Sequence, residues 1–597
     1  MPNLKIHPAI GVARIGNSTQ FFIGPEFPGI PGNWDSTARA FGRFRDDQGK
    51  ILRQAARFRI FQFDDAGNVV KEITLSDGVR IEWRVHVANR KASFFTFNGQ
   101  SGAETNPPYV NRAKRPGDAI EKQDRGRGQP ERKNLRNADI TDRRSLEIDP
   151  GEISIAVPGS VDLVDSETPA PIKLLGQLQM QSDGKLLFLG GFGNTGFIGA
   201  KTPPIDEYAS NDRWFDDMCD GVVQAEVTFP DGHKEVATPA WVIVGPPKFA
   251  PAIRNVVSLY DTVWDLAVRL KLPCQPGSDQ VLQDLVAQQQ AWQDATDDFG
   301  PNYQPSFFDH IYPVLSRALA ARDAHEPPVG RIDYHATLPD WTRLSQRSED
   351  QMRQAVFKRV RNPNSDQLDR LNMPRGLGDD YTSLDAFENG DPTPPSPRAF
   401  LSITKVQYAL LKAWADGRFK EDWTFGDVRF ATIPTPGPIT PQGLDCAALE
   451  NCVGGPFYPG IEVSWLIRQP EIYAGAFRLK APPFDLGPIR FQAGFFSQQM
   501  ALPWQADFYD CHKEDHTTDD AAEPLIYMWW TAQRPDDIRA DASGPYRRWV
   551  EPFDAAKEQD APDPDDITNL ARFEQMRTRW FELSFLVLED DQFIEQK

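Results

Sequence analysis

The chain has 597 residues, 40% of them hydrophobic, and a formal net charge of -20 at pH 7. That length and apolar fraction support more than one domain and a large core, while the acidic balance argues against a protein that grips the nucleic-acid backbone and gives no attraction to anionic membranes. The 51 prolines and 43 glycines predict many turns and long ordered loops, and 38 phenylalanines and 15 tryptophans can supply the packing such a chain needs.

The opening MPNLKIHPAIGVARIGNSTQFF has no long apolar segment of the kind that directs secretion, and no stretch approaches 18 uncharged apolar residues. The expectation is a cytoplasmic protein without membrane spans, with nonclassical export left open. Five cysteines (Cys219, Cys274, Cys446, Cys452 and Cys511) are too few and too scattered for a disulfide framework.

In chain order, RFRIFQFD (57–64), VVKEITLS (69–76) and VRIEWRVHVANR (79–90) alternate apolar and polar residues, with DDAGN and SDG as turns between them. Residues 101–150 are polar and poor in apolar side chains and read as a long surface excursion. Strands return up to VVQAEVTF (222–229) and WVIVGPP (241–247). Between them, LFLGGFGNTGFIG (187–199) lacks the Lys-Ser/Thr of a phosphate loop, and its glycines read as tight backbone turns. From about 250 the spacing becomes helical: 251–272, 280–294, 307–323, 348–361, 396–417 and 567–590, with an irregular stretch over 430–515. The fold class expected is multidomain α+β, with a beta-rich part over 1–245 and a helical and loop-rich part over 246–597.

One segment concentrates reactive side chains. WQADFYDCHKEDH (504–516) sets Cys511 among acidic residues and two histidines, and Trp529 and Trp530 follow soon after. Cys511, His512 and His516 could ligate a metal, as in a metal-dependent hydrolase, and a helix would put His512 and His516 on one face. Cys511 could be a nucleophile, or only a small buried residue. If the segment is helical, Asp507 and Cys511 share a face at i, i+4 and the carboxylate could take the thiol proton. That transfer is uphill in water, from a thiol near pKa 8.5 to a carboxylate near 4, and burial of the aspartate would narrow the gap. A tryptophan pair by itself is ordinary core or interface packing.

Several long blocks, in order along most of the chain, resemble the cysteine tryptophylquinone amino-acid oxidases, the family of L-lysine epsilon-oxidase and glycine oxidase. They are HPAIGVARIGNS (7–18), FFIGPE (21–26), RQAARFRIFQFD (53–64), IEWRVHVANRKASFF (81–95), FLGGFG (188–193), NDRWFDDMCDGVVQAEV (211–227), SLYDTVWDLA (258–267), CVGGPFYPGIE (452–462), WQADFYDC (504–511) and the stretch WWTAQRPD (529–536). The resemblance implies a cofactor made from the chain itself: a cysteine joined by a thioether to a tryptophan whose ring carries two added oxygens. Cys511 falls on that cysteine and Asp507 on the aspartate that assists cofactor formation. The tryptophan is Trp529 or Trp530. Adjacent strand residues face opposite sides, so one of the two meets Cys511, and Trp530 is favoured because it borders AQRP. The departure from the family is a short link, with 17 or 18 residues between cysteine and tryptophan, which bears on the pocket rim and so on substrate choice.

What the resemblance implies chemically is oxidative deamination of a primary amine of an amino acid by oxygen, releasing ammonia and hydrogen peroxide. No separately bound organic cofactor is expected. Maturation by a partner flavin-dependent monooxygenase and a homo-oligomeric state are carried over in the same way, and His512 and His516 are candidates for proton handling. The competing readings are an inactive relative that keeps the fold as a binding or structural protein, the metal-dependent hydrolase, and a carbohydrate-binding protein rich in aromatics.

Overall fold

The computed structural model describes residues 4–96, 135–205, 208–321, 324, 340–369, 372–378, 383, 392, 394–424, 433–455, 461–463, 465–486, 489–512, 514–516, 525–527, 530–541, 544–553, 567–589 and 592–597. The alternating runs of the first 245 residues do form strands, and they join into one thirteen-stranded sheet. Its spine is Arg53–Phe63, which pairs antiparallel with Leu4–His7, Val69–Ile73 and Leu186–Gly190 and parallel with Phe21–Ile23. Alternation sends the side chains of this strand to two faces. Phe58 and Ile60 enter the main core, whereas Phe61 and Phe63 pack with Leu444 from the helix Pro441–Glu450. Both faces of the spine are therefore covered, one of them by the C-terminal half.

Across the sheet the order runs Gly159–Val164, Leu174–Met180, Leu186–Gly190, Arg53–Phe63, Ile10–Arg14, Ala240–Gly245, Asp220–Thr228, Arg80–Ala88, Glu152–Ile155. The two end strands are consecutive in the chain, separated by residues 156–158, so the sheet curls toward closure. Ile10–Arg14 and Ala240–Gly245 pair in parallel at the middle. This leaves the carboxyl ends of both strands, Arg14 and Gly245, beside each other and facing the C-terminal half.

Residues 135–150, expected to finish a surface excursion, are instead packed into the body. The Arg136 side chain is fully buried and donates to the carbonyls of Lys91, Ala209, Gln498 and Met500 at 3.0–3.2 Å. Ile148 pairs with Asn89. A polar composition hid this because the buried group is an arginine that satisfies backbone carbonyls. Residues 101–134 of that excursion lie outside the described residues.

The helices of the second half are Leu259–Arg269, Gln280–Ala291, Tyr312–Ala321, Asp350–Phe357, Lys405–Ala415, Pro441–Glu450 and Ile567–Arg579, besides short ones. The first begins only after Ser258, whose hydroxyl and the Asp261 carboxylate form a capping box, and not near 250. The stretch 567–590, expected as one helix, breaks at Arg579. Phe585–Glu589 is a strand paired with Gln592–Gln596, and Leu586 N–H donates to Phe249 O at 2.7 Å. Tertiary pairing here overrides a periodicity that suits either element. Among the described residues no helix is long and apolar enough to cross a membrane.

Candidate active site

Trp504–Asp510 is a helix of seven residues, too short to hold itself in water. Its ends are secured from elsewhere. Pro503 at the N-cap supplies no side-chain cap. Instead the Trp504 N–H donates to the Asp216 carboxylate at 3.1 Å, a negative group at the positive end of the helix. Asp216 is paired with Lys91 at 2.7 Å, both side chains being fully buried, and Lys91 also donates to Ala501 O at 2.8 Å. Burial pulls the Lys91 ammonium below the usual lysine range, and the Asp216 charge opposes that.

Asp216 belongs to WFDDMCDG (214–221), and the other two acids of that run hold neighbouring pieces. Asp217 accepts the Asn194 N–H at 2.9 Å, and Asp220 accepts the N–H groups of Phe496 and Ser497 at 3.0 and 2.8 Å. Burial raises their carboxyls to about 7 and about 6 respectively. The glycine-rich run does make a tight turn, as expected. Gly193 has φ +76°, a Cβ there would lie 2.3 Å from the Trp580 ring, and its carbonyl accepts from Gln505 Nε2 at 3.3 Å. Trp580 in turn packs edge-on against Trp504, with centroids 5.4 Å apart.

The segment being helical, Asp507 and Cys511 meet. The Cys511 thiol donates to Asp507 Oδ1 at 2.9 Å, and the Cys511 N–H donates to Asp507 O at 3.0 Å. Asp507 is fully buried and Cys511 is 7% exposed. Burial pushes the Asp507 carboxyl up to about 8, with the nearby Asp510 charge acting in the same direction and the Cys511 hydrogen bond against it. Burial thus moves the carboxyl in the direction that makes it a better proton acceptor. The second carboxyl oxygen, Asp507 Oδ2, is buried and has no hydrogen-bond partner among the described residues.

The chain turns back after Cys511. Glu514–His516 pairs antiparallel with Leu525–Tyr527, in the register Glu514↔Tyr527, Asp515↔Ile526, His516↔Leu525. Cys511 stands three residues before the first of these strands and Trp530 three residues after the second. The short link thus folds back on itself through these paired residues. Trp530 is 5% exposed and shares the apolar cluster that holds Cys511. It opens a turn in which Gln533 N–H and Arg534 N–H donate to Trp530 O at 2.8 and 2.9 Å. The Arg534 side chain then reaches back, its Nε to Phe508 O and its Nη2 to Tyr509 O at 3.4 Å. These are carbonyls left open at the C-terminal end of the site helix, where a cation is favourable.

Of the residues singled out from the sequence, Asp507, Cys511 and Trp530 are brought into one buried region. His512 is half-buried beside Cys511. His516 lies on the hairpin strand and not one helical turn from His512, so the shared helix face expected for the two rings does not form. Trp529 lies outside the described residues. Among the described residues no group of three His, Cys, Asp or Glu is placed to hold a metal ion. Sequence reasoning missed Asp216, Lys91 and Arg534 as supports. Each stands inside or beside a block that carried the family resemblance, but nothing in local periodicity marks a charged residue that is to be buried.

Two clefts lined by described residues lie elsewhere, one bordered by Arg254, Arg317 and Glu450 and one by Arg14, Lys248 and Gln54.

Comparison with known proteins gives a consistent result. Family models described as L-lysine epsilon oxidase N-terminal and L-lysine epsilon oxidase C-terminal domain match residues 7–244 and 386–530, and the second takes in Asp507, Cys511 and Trp530. The L-lysine 6-oxidase of Marinomonas mediterranea is 29% identical over 567 residues, which is 85% of this chain and 71% of that relative. The crystal structure of the L-Lys epsilon-oxidase from the same organism superposes with a TM-score of 0.72 at 24% identity, covering 99% of this chain and 94% of that one. A structure of the Schiff base intermediate of that oxidase with L-Lys superposes at 0.71 and 22% identity, with the same coverage. At those identities the superpositions speak for the fold. The chain belongs to the L-lysine epsilon-oxidase family of quinoprotein amino-acid oxidases.

The residues present fit a cofactor built from the chain. The buried Asp507 carboxyl holds the Cys511 thiol, Arg534 ties the turn at Trp530 to the same helix, and Asp507 Oδ2 has no hydrogen-bond partner among the described residues.

Proposed function

We propose that the chain oxidises the primary amine of an amino acid with a cysteine tryptophylquinone made from Cys511 and Trp530, consuming oxygen and releasing ammonia and hydrogen peroxide. The observation that carries the assignment is the buried Cys511 thiol held 2.9 Å from the Asp507 carboxyl, with the turn at Trp530 tied through Arg534 to the helix that ends at Cys511. Trp530 is preferred to Trp529 because it borders the AQRP block. Once formed, such a group supplies the electrophilic carbon and the two-electron sink that ordinary side chains lack.

The chain's own residues do the rest. Asp507 takes the thiol proton during maturation, and its carboxyl, raised to about 8, can exchange a proton near neutral pH. Oδ2, which has no hydrogen-bond partner among the described residues, is the atom proposed to exchange a proton with a bound substrate. His512, half-buried next to the cysteine, is the candidate for passing protons outward, with His516 further along the hairpin. Phe508, Trp549 and Trp504 pack around the site helix and keep water from its buried side.

A flavin-dependent monooxygenase as maturation partner, a homo-oligomeric assembly and a cytoplasmic location complete the proposal. L-lysine is the first substrate to try, since the relative is named for it. The test is coexpression with the cognate flavoprotein, then a screen of amino acids for equal yields of peroxide and ammonia, with Cys511→Ser as control. Release by the wild type and none by C511S supports the reading. A crosslinked wild type that oxidises no amino acid would instead favour the inactive-relative reading.

A further inference from the structure

We propose that Arg534 is a positioning residue that sets Cys511 against Trp530 before the two are joined. The inference rests on the quinone reading above. One residue makes both attachments. Its backbone N–H closes the turn on Trp530 O at 2.9 Å, and its guanidinium binds the carbonyls of Phe508 and Tyr509 on the helix that ends at Cys511. The guanidinium is itself held, by Asp536 at 3.2 Å and over the Trp549 ring at 5.2 Å from its centroid. Trp549 packs against Phe249 and Phe508, so the clamp is anchored in the core and not in a loop.

A buried arginine is an expensive way to fill space. Here it satisfies carbonyls that the short helix leaves open and ties two segments whose separation decides a reaction. Residues 512–529 form the link between the reacting positions, and a free link would close only a fraction of the time. The fork of the guanidinium reaches two carbonyls at once, which a lysine ammonium on a flexible stem does not match.

Forming the thioether joins Sγ to an indole ring carbon. The thiol hydrogen leaves as a proton to Asp507, the ring hydrogen leaves as a proton, and two electrons pass to dioxygen through the flavin-dependent partner. Arg534 takes no part in that transfer. It fixes the distance over which it occurs.

The experiment compares wild type, Arg534→Lys and Arg534→Gln, each coexpressed with the flavoprotein for increasing times. The fraction of folded protein carrying the Cys511–Trp530 peptide crosslink is read by mass. The expected result is a maturation rate in the order wild type, R534K, R534Q, with R534Q slower by on the order of 100-fold, the scale set by a misplacement of about 1 Å. A purely structural role would lower soluble yield and leave the crosslinked fraction of the folded protein unchanged, and that result overturns the proposal. Hydrogen exchange on wild-type precursor, made without the flavoprotein, needs no variant. Protection of the amides of Arg534 and Cys511 before crosslinking supports the clamp, and protection only afterwards overturns it. A wild type that never crosslinks removes the quinone reading as well. A wild type that crosslinks, with variants that match it, removes only the role of Arg534.

Discussion

The sheet of the first 245 residues and the site region after residue 500 are held together differently. The sheet is made of long strands whose apolar faces pair with neighbours of like pattern, and its spine pairs with five other strands of the sheet. The site region is made of a seven-residue helix, a short hairpin and a turn. None of these would stand alone, and buried charged side chains from distant parts of the chain fasten them. The sheet's stability is spread over many contacts. That of the site is concentrated in Asp216, Lys91 and Arg534. A reactive thiol and a raised carboxyl can be kept in one geometry this way, at the cost of dependence on a few groups.

The largest effect that would sharpen this contrast is chemical. Asp507→Asn keeps the shape and removes the proton acceptor, so quinone content, read by absorbance and mass, should fall by about 100-fold or more, from the lower end upward of what a positioned acid or base contributes. Normal quinone content in purified D507N would remove Asp507 from maturation.

Next comes Asp216→Asn. It leaves Lys91 without its charge partner and weakens the cap on the site helix, and breaking one side of a buried pair costs about 3–5 kcal/mol. Denaturant unfolding should show a loss of that size, and hydrogen exchange should show residues 504–511 opening first.

A smaller effect follows pH. The Asp507 carboxyl is at about 8 in the folded chain against 3.8 for the free group. Between those values the folded state holds a proton that the unfolded state has lost, so this group's contribution makes stability fall as pH rises from about 4 to about 8 and level off above. Asp217 and Asp220, raised to about 7 and about 6, act in the same direction. D507N should therefore gain stability relative to wild type as pH rises through that window, in paired melts, and the two curves should converge near pH 4. A constant difference across the window would contradict the raised carboxyl.

The smallest effect is at the surface. Arg43 and Asp47 form an ion pair with both side chains largely exposed, at 71% and 89%. Arg43→Ala should leave the melting temperature within error, since such pairs contribute little. A large shift there would break the claim that polar contacts matter mainly where they are buried.

The same contrast explains what could be read from the sequence. RFRIFQFD and VRIEWRVHVANR announce strands because alternation is a local signal that the fold obeys. The i, i+4 placement of Asp507 and Cys511 was legible for the same reason. The strand Phe585–Glu589 was not, because FLVLE suits a helix or a strand and its pairing partner decides. Arg136 and Arg534 were invisible as buried groups, since composition marks arginine as solvated and only the carbonyls they meet say otherwise. The preference for Trp530 over Trp529 came from its place beside AQRP, because two adjacent tryptophans carry no local signal of their own that separates them.

The most direct test of the central claim is peptide mass mapping of the chain coexpressed with its flavoprotein. The account predicts a peptide containing Cys511 joined to one containing Trp530, heavier than the two together by about 28 Da for two oxygens gained and four hydrogens lost. A free Cys511 thiol and an unmodified Trp530, in the presence of an active partner, would contradict it.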